Sequence, residues 1–239
     1  MVLAAGEGRR LRPLTDKTPK ALMEVGGAPM LEIVIRRLVG AGVDAVVVNA
    51  FHLADQVEAF LKGRDLGIPV SVSRESVLLD TGGGLKKAAP FFDDGRPFFL
   101  HNADVYSDLD LRVMFNAHME SGALATLAVA DRPTQRHLLF DAEGRLRGRH
   151  SLKEGFAWAA GPVAAPLRLA FNGIHVISPG LLPRISEVGV FPIMSTYLRL
   201  AGEGADIRAF RMDDRYYNDI GDAAKLAEVR RRALRRPAP

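Results

Sequence analysis

Leu3-Ala-Ala-Gly-Glu-Gly-Arg-Arg-Leu-Arg-Pro-Leu-Thr15 is the stretch that decides the fold. Met1 to Ala5 is a short apolar run that stops at Gly6, which reads as a buried strand entering a glycine loop. Gly6 and Gly8 let the backbone approach a ligand closely and take positive φ. Exposed N–H groups in such a loop form a nest for anions. Arg9, Arg10, Arg12 and, after Thr18-Pro19, Lys20 add positive charge within a short span. Fixed N–H dipoles beside guanidinium groups are what a polyphosphate requires. The plainer reading is a glycine turn followed by a solvated basic stretch. Two familiar phosphate loops are excluded. A dinucleotide fingerprint needs a third glycine where Leu11 stands, and a Walker loop needs a Gly-Lys pair, which the chain lacks.

Working outward, strands and helices alternate. From Pro29, which suits a first helical position, to Val39, the apolar residues Met30, Ile33, Val34, Leu38 and Val39 recur at helical spacing, and glycines 40 and 42 end that helix. Ala45 to Val48 reads as a strand, Leu53 to Leu61 as an amphipathic helix, and Val70 to Ser73 as a strand. A helix begins at Gly84, and Phe98 to Leu100 is a buried strand ending in His101-Asn102-Ala103-Asp104. Helical connections favour parallel pairing, and the binding crevice of such sheets lies beyond the C-terminal strand ends. The second half is more mixed. Ala123 to Ala130 is a strand, and Leu138 to Phe140 and Leu146 flank a hairpin turn. Gly148 to Pro166 is irregular and loop-like, with Trp158 as a lid candidate. Leu169 to Ile177 and Ile207 to Phe210 are strands, and Ile193 to Leu200 and Asp222 to Leu234 are helices. The fold class expected is α/β, a Rossmann-like mixed and mostly parallel sheet flanked by helices, in a single domain over 1–239.

Composition agrees. The 239 residues are 48% hydrophobic and 25% charged, as in globular chains, which excludes disorder. No apolar run approaches a membrane span, and no secretory signal opens the chain. The absence of cysteine removes disulfides and thiolate chemistry. A cytoplasmic protein is expected. Net charge is +4, but Arg230, Arg231, Arg232, Arg235 and Arg236 crowd the last ten residues, and the remainder is near neutral. The basic character is a tail property, so no nucleic-acid or membrane partner is expected. The six histidines are scattered and form no metal set, although His101 lies beside the proposed site.

Three further motifs carry chemistry. Asp104, after Asn102-Ala103, stands at a strand end where a carboxylate can hold Mg²⁺ or cap the next element. In Tyr217-Asn218-Asp219-Ile220-Gly221-Asp222, Asp219 offers a second carboxylate or is an ordinary strand-end acid, while Asp222 N-caps the last helix. Leu79-Asp80-Thr81-Gly82-Gly83-Gly84 offers a flat backbone and free N–H groups for a base or ribose, or is a flexible loop capped by Thr81.

Together these motifs resemble those of the sugar-1-phosphate nucleotidylyltransferases, from Leu3 to about Leu226. The 79–84 motif is most similar to that of the N-acetylmuramate-1-phosphate uridylyltransferases of cell-wall recycling, which lack a β-helix domain. The resemblance implies that Arg10 and Lys20 bind phosphate with help from Arg12. It implies that the backbone of Leu3, Ala4, Ala5, Gly6 and Gly8, with Gly82, Gly83 and Asn102, meets the nucleotide. It further implies that Asp104 and Asp219 hold Mg²⁺ and that Asn172 meets the sugar. The family's Glu-Lys-Pro element is missing, with Lys153-Glu154 as a weak substitute, and Arg9 replaces the common threonine. The expected partners are an NTP and a sugar 1-phosphate, in a monomer or dimer. The expected reaction is in-line attack of the sugar phosphate on the α-phosphorus of UTP. Mannose-1-phosphate guanylyltransferase is the near rival. A cytidylyltransferase for an alcohol phosphate and a non-catalytic nucleotide-sugar sensor stand further off.

Overall fold

The computed structural model describes residues 1–235. In chain order the elements are β1 (Val2–Leu3), β2 (Glu24–Val25), β3 (Ala28–Pro29), α1 (Met30–Gly40), β4 (Val46–Ala50), α2 (Ala54–Lys62) and β5 (Val70–Arg74). Then come α3 (Asp80–Ala88), β6 (Phe98–Asn102), β7 (Val105–Ser107), α4 (Leu111–Ser121), β8 (Ala125–Ala130), β9 (Arg136–Phe140) and β10 (Leu146–Ser151). The last are β11 (Gly155–Trp158), β12 (Leu167–Ile177), α5 (Ile193–Gly202), β13 (Ile207–Arg211), β14 (Tyr217–Asp219) and α6 (Ala223–Arg235). These elements gather into two compact units. One holds Met1–Asp80, His101–Leu111 and the chain from Arg215 onward, and the other holds Thr81–Leu100 and Arg112–Asp214.

The first unit is parallel, as its helical crossovers require. Val2 of β1 lies opposite Val48 of β4 on one side and His101 at the end of β6 on the other, and β4 pairs in parallel with β5. All five residues of β4 are buried, which matches its β-branched run. A second cluster fastens the parts that carry chemistry. Leu11, Met23, Val25, Met30, Tyr106, Ile220, Leu226, Val229 and Ala233 bury against one another. Leu11 follows Arg10 and Ile220 follows Asp219, so apolar burial worth roughly 2 kcal/mol per side chain sets where those charged neighbours stand. The arginine-rich helix α6 belongs to this cluster through Leu226, Val229 and Ala233. Arg230 donates to the Glu24 carbonyl, and Arg232 lies over the Tyr216 ring at 4.6 Å. Those two arginines are thus engaged on their own unit; Arg236 lies outside the described residues.

The second unit is mixed. β12 runs antiparallel to β8 and β9, β9 to β10, and β10 to β11, while β13 joins β8 in parallel. The expected α/β class of mixed sheet with flanking helices is present.

Three local expectations need correction. The irregular 148–166 segment contains the end of β10 and all of β11, so Trp158 is a strand residue and not part of a lid loop. Gly148 marks a close strand approach: a Cβ there would stand 2.5 Å from the Ala157 carbonyl oxygen. Helix α3 starts at Asp80 and holds all three glycines inside it. Helix α4 fills a stretch in which the sequence pattern predicts no element; its Val113 and Met119 are exposed while Leu111 and Met114 are buried, so the apolar stripe is blurred.

Candidate active site

The glycine loop is built around a few fixed points. Gly8 takes φ 63°, and a Cβ on it would lie 2.7 Å from the Thr15 methyl group. Thr15 donates its hydroxyl to the Gly8 carbonyl at 2.9 Å, closing the loop. A Cβ on Gly6 would meet only open space, so Gly6 marks an approachable stretch of backbone. The Ala4 N–H is not available to a ligand as expected. It donates to Asn49 Oδ1 at 2.7 Å, and Asn49 in turn donates to Glu75 Oε1 at 2.7 Å. Glu75 Oε2 accepts the Leu79 N–H at 2.9 Å. Asn49 and Glu75 are both buried, so this relay stiffens β1 where it enters the loop. The Leu3 carbonyl takes the Ala103 N–H at 3.0 Å, tying the loop to the segment that carries Asp104.

The four cations of the loop divide into two kinds. Arg9 pairs with Glu7, and Arg12 with Asp16 at 3.2 Å, both at the surface. Such pairs contribute little to stability. Lys20, set by the short turn Lys20–Leu22 after Pro19, reaches Asp104 Oδ2. Arg10 extends to Gly221, where a Cβ would stand 3.0 Å from its Nη2 and 2.3 Å from Asp219 Oδ1. Asp219 accepts the Gly221 N–H at 2.8 Å and Lys225 Nζ at 2.5 Å. β14 and β7 form an antiparallel ribbon with Asp219 opposite Val105, and the Ile220 N–H donates to the Asp104 carbonyl at 3.0 Å. The first unit thus gathers two carboxylates and the cations Arg10, Lys20 and Lys225 on one edge. Burial acts to raise the Asp219 carboxyl, but the Lys225 ammonium, the Gly221 N–H and the Lys20 charge outweigh it, and its pKa lies below the usual carboxylate value. It is a carboxylate throughout the neutral range.

Asn102 ends β6 opposite Leu3, and its carbonyl accepts Nδ1–H of His101 at 2.8 Å. His101 is fully buried, with its pKa lowered to about 3 by desolvation, so it is a neutral packing residue and not a ligand contact. In the second unit, the N–H groups of Gly82 and Gly83 both donate to the Phe191 carbonyl, at 3.0 and 3.2 Å, so they are not the free donors expected. Gly82 is glycine for packing: a Cβ would fall 2.4 Å from the Phe191 ring. Asn172 is buried in the same unit, with Oδ1 accepting Arg132 Nε at 2.8 Å. Lys153 stands in the exposed turn between β10 and β11. Among the described residues no three histidines or acids cluster as a metal site, so a divalent cation has two carboxylates at most.

Residues 1–140 match the family model described as Nucleotidyl transferase. The chain belongs to the nucleotidyl transferase family. An N-acetylmuramate alpha-1-phosphate uridylyltransferase of Caulobacter vibrioides is 34% identical to this transferase over 217 residues, covering 85% of the chain and 84% of that protein. A second protein of that name, from Neisseria meningitidis, is 41% identical over 117 residues, 48% of the chain and half of that protein. Mannose-1-phosphate guanyltransferase beta-B of Xenopus laevis is 29% identical over 226 residues, covering 89% of the chain and 60% of that protein. A UDP-glucose pyrophosphorylase structure from Acinetobacter baumanii shares the fold at TM-score 0.78 and 19% identity, over 99% of this chain and 93% of that one. The motif resemblance is borne out: the enzyme is a sugar-1-phosphate nucleotidyltransferase.

Sequence reasoning missed three residues of this candidate site. Lys225 lies six residues beyond Asp219, where the Asp222 cap starts α6 by accepting the Lys225 N–H at 3.0 Å. A lysine one turn inside a capped helix was the available signal. Asn49 breaks an otherwise apolar buried strand, and a polar residue there needs partners. Glu75 supplies one of them.

Proposed function

We propose that this transferase moves a uridylyl group from UTP to N-acetylmuramate 1-phosphate and releases pyrophosphate. The observation that carries the choice of acceptor is the similarity to the Caulobacter protein across most of both chains. The Leu79–Gly84 motif, read from sequence as most similar to that class, supports it. Such an acceptor fits a cytoplasmic enzyme that reuses cell-wall sugar.

In the reaction a phosphate oxygen of the acceptor forms a bond to the α-phosphorus of UTP. The bond to the bridging oxygen breaks, and pyrophosphate leaves with the electron pair. The second pKa of a phosphate monoester is about 6, so the nucleophile is anionic near neutral pH and needs no general base. The site matches this need, since it gathers charges and no nucleophile–base pair. The task is to hold two anions that repel each other, through fixed positive charge and orientation. Lys20, held by its turn and by Asp104, and Arg10, lodged at Gly221, are the cations placed to neutralise the triphosphate and the departing pyrophosphate.

Asp104 and Asp219 would hold Mg²⁺. Both are hard oxygen donors on segments locked together by the Ile220 bond, and two carboxylates completed by phosphate oxygens and water suit this ion. When bound, it supplies further charge neutralisation among the phosphates. Each acid also meets a lysine ammonium, so the lysines and the ion share the two acids.

The test is pyrophosphate release across a grid of NTPs and sugar 1-phosphates with Mg²⁺ present. UTP with N-acetylmuramate 1-phosphate is expected to be the productive pair. GTP with mannose 1-phosphate as the productive pair would replace this reading with the one suggested by the Xenopus relative.

A further inference from the structure

Two lysines meet the two acids of the first unit, and they are held differently. Lys20 follows Pro19 in a short turn, its side chain is only 14% exposed, and it contacts Asp104. Lys225 lies on the first turn of α6, its side chain is 40% exposed, and it contacts Asp219.

Lys225 stands against the local preferences of its helix. Asp222 caps α6 by accepting the Lys225 N–H, which makes Lys225 the third helical residue. A capping box carries Glu or Gln at that place. The helix dipole also favours an acid there, and the first turn of α6 holds none. Leu226 and Val229 are buried in the cluster that includes Ile220, so the start of the helix is fixed beside the segment carrying Asp219. Helical side chains tilt toward the N-terminus, and the Lys225 side chain runs back to place Nζ 2.5 Å from Asp219 Oδ2. A residue that breaks a local rule and gains an ion pair to a site carboxylate marks a functional constraint.

Oδ1 of Asp219 accepts the Gly221 N–H, so Oδ2 is the oxygen given to a cation. An ammonium and a divalent ion on one carboxylate oxygen are like charges a few ångströms apart, and each weakens the hold of the other. Lys225, more exposed and on a flexible four-carbon stem, is the lysine able to leave. We propose that Lys225 is the exchangeable counter-ion of Asp219: it holds the carboxylate in place and yields Oδ2 to a divalent ion. The free enzyme then binds the ion weakly, and the negative charge of a triphosphate tips the exchange. Lys225 is thus a positioning residue that sets metal affinity. This role presupposes the reading of Asp104 and Asp219 as the ligands of that ion.

The test uses Mn²⁺ alone as the probe, with the free ion followed by electron paramagnetic resonance at neutral pH and without nucleotide. The proteins are the wild type, Lys225→Met, Lys225→Arg, Asp219→Asn and the double variant Lys225→Met with Asp219→Asn, with thermal melts to verify folding. Lys225→Met should bind Mn²⁺ about tenfold more tightly than the wild type, the modest end of the range for removing a charge from a partly screened carboxylate. Lys225→Arg keeps the charge and should bind Mn²⁺ like the wild type, and Asp219→Asn should abolish the gain. Loss of a merely structural lysine would loosen Asp219 and could not raise the affinity. Unchanged, weaker or absent binding by Lys225→Met, with Asp219→Asn lowering the wild-type affinity, overturns the counter-ion role and leaves the two acids as ligands. Mn²⁺ affinity unaltered by Asp219→Asn in either background overturns the ligand reading and the counter-ion role with it.

Discussion

Gly221→Ala is the sharpest perturbation the geometry offers. The new methyl group would begin 2.3 Å from Asp219 Oδ1 and 3.0 Å from Arg10 Nη2. Ordinary contact begins near 3.4 Å, so the carboxylate must retreat by about 1 Å. Gly221 is not among the positive-φ residues, so alanine strains no backbone there. Arg10 yields easily, being the end of a long exposed side chain. Asp219 can retreat only by giving up a partner, because the Gly221 N–H and Lys225 hold its two oxygens. A misplacement of about 1 Å in a catalytic array costs on the order of a hundredfold in rate, or about 2.7 kcal/mol. The fold should lose less than about 1 kcal/mol, since only side-chain ends must move. The assay is pyrophosphate release at saturating substrates, alongside a thermal melt. Asp219→Asn and the double variant complete a cycle, in which the second change should add little to the first. A Gly221→Ala enzyme within threefold of wild type, or fully additive effects, would refute the assignment of Asp219.

Other outcomes follow from the same coordinates. Lys20→Ala should lose about 3 kcal/mol of transition-state stabilisation, roughly a hundredfold in kcat, while remaining folded; near-normal turnover would remove Lys20 from the mechanism. Asn49→Ala leaves the Ala4 N–H without its partner and should cost about 1–3 kcal/mol in urea unfolding, whereas an unchanged midpoint would show the relay to be dispensable. His101 is held near pKa 3 by burial, against 6.5 in the unfolded chain. Between those values the unfolded state binds the extra proton, so stability falls as pH drops, by about 1.4 kcal/mol per pH unit from this group. His101→Leu should flatten the difference in urea midpoint between pH 7 and pH 5, and parallel pH dependences would contradict this role.

The parts of the fold legible in sequence were those with clean periodicity or punctuation. The β4 run of valines, the stripe on α1, and Gly8 with its positive φ all behaved as local rules predict. Pro29 came one residue early, as the flank of α1 and not its first residue. Other elements were hidden where tertiary contact overrides propensity. Three successive glycines argue against a helix at roughly 1 kcal/mol each. Yet Gly82 sits inside α3 because the Phe191 ring and the Ile193 backbone leave no space for a side chain. Gly148 looked like loop and is the close crossing of β10 and β11. The acids Asp104 and Asp219 could be named from their motifs, but Lys20 meets Asp104 across 84 residues of chain, and the ribbon that brings the two acids' segments together joins residues more than a hundred apart.

The central claim is that the transferase directs a sugar phosphate to the α-phosphorus of an NTP. The most direct measurement is ³¹P NMR of UTP mixed with N-acetylmuramate 1-phosphate and the enzyme in Mg²⁺. The account predicts loss of the monoester and triphosphate signals in step, with equal growth of a sugar-linked diphosphate and free pyrophosphate. Appearance of UDP and orthophosphate, or UTP consumption with the monoester untouched, would contradict it.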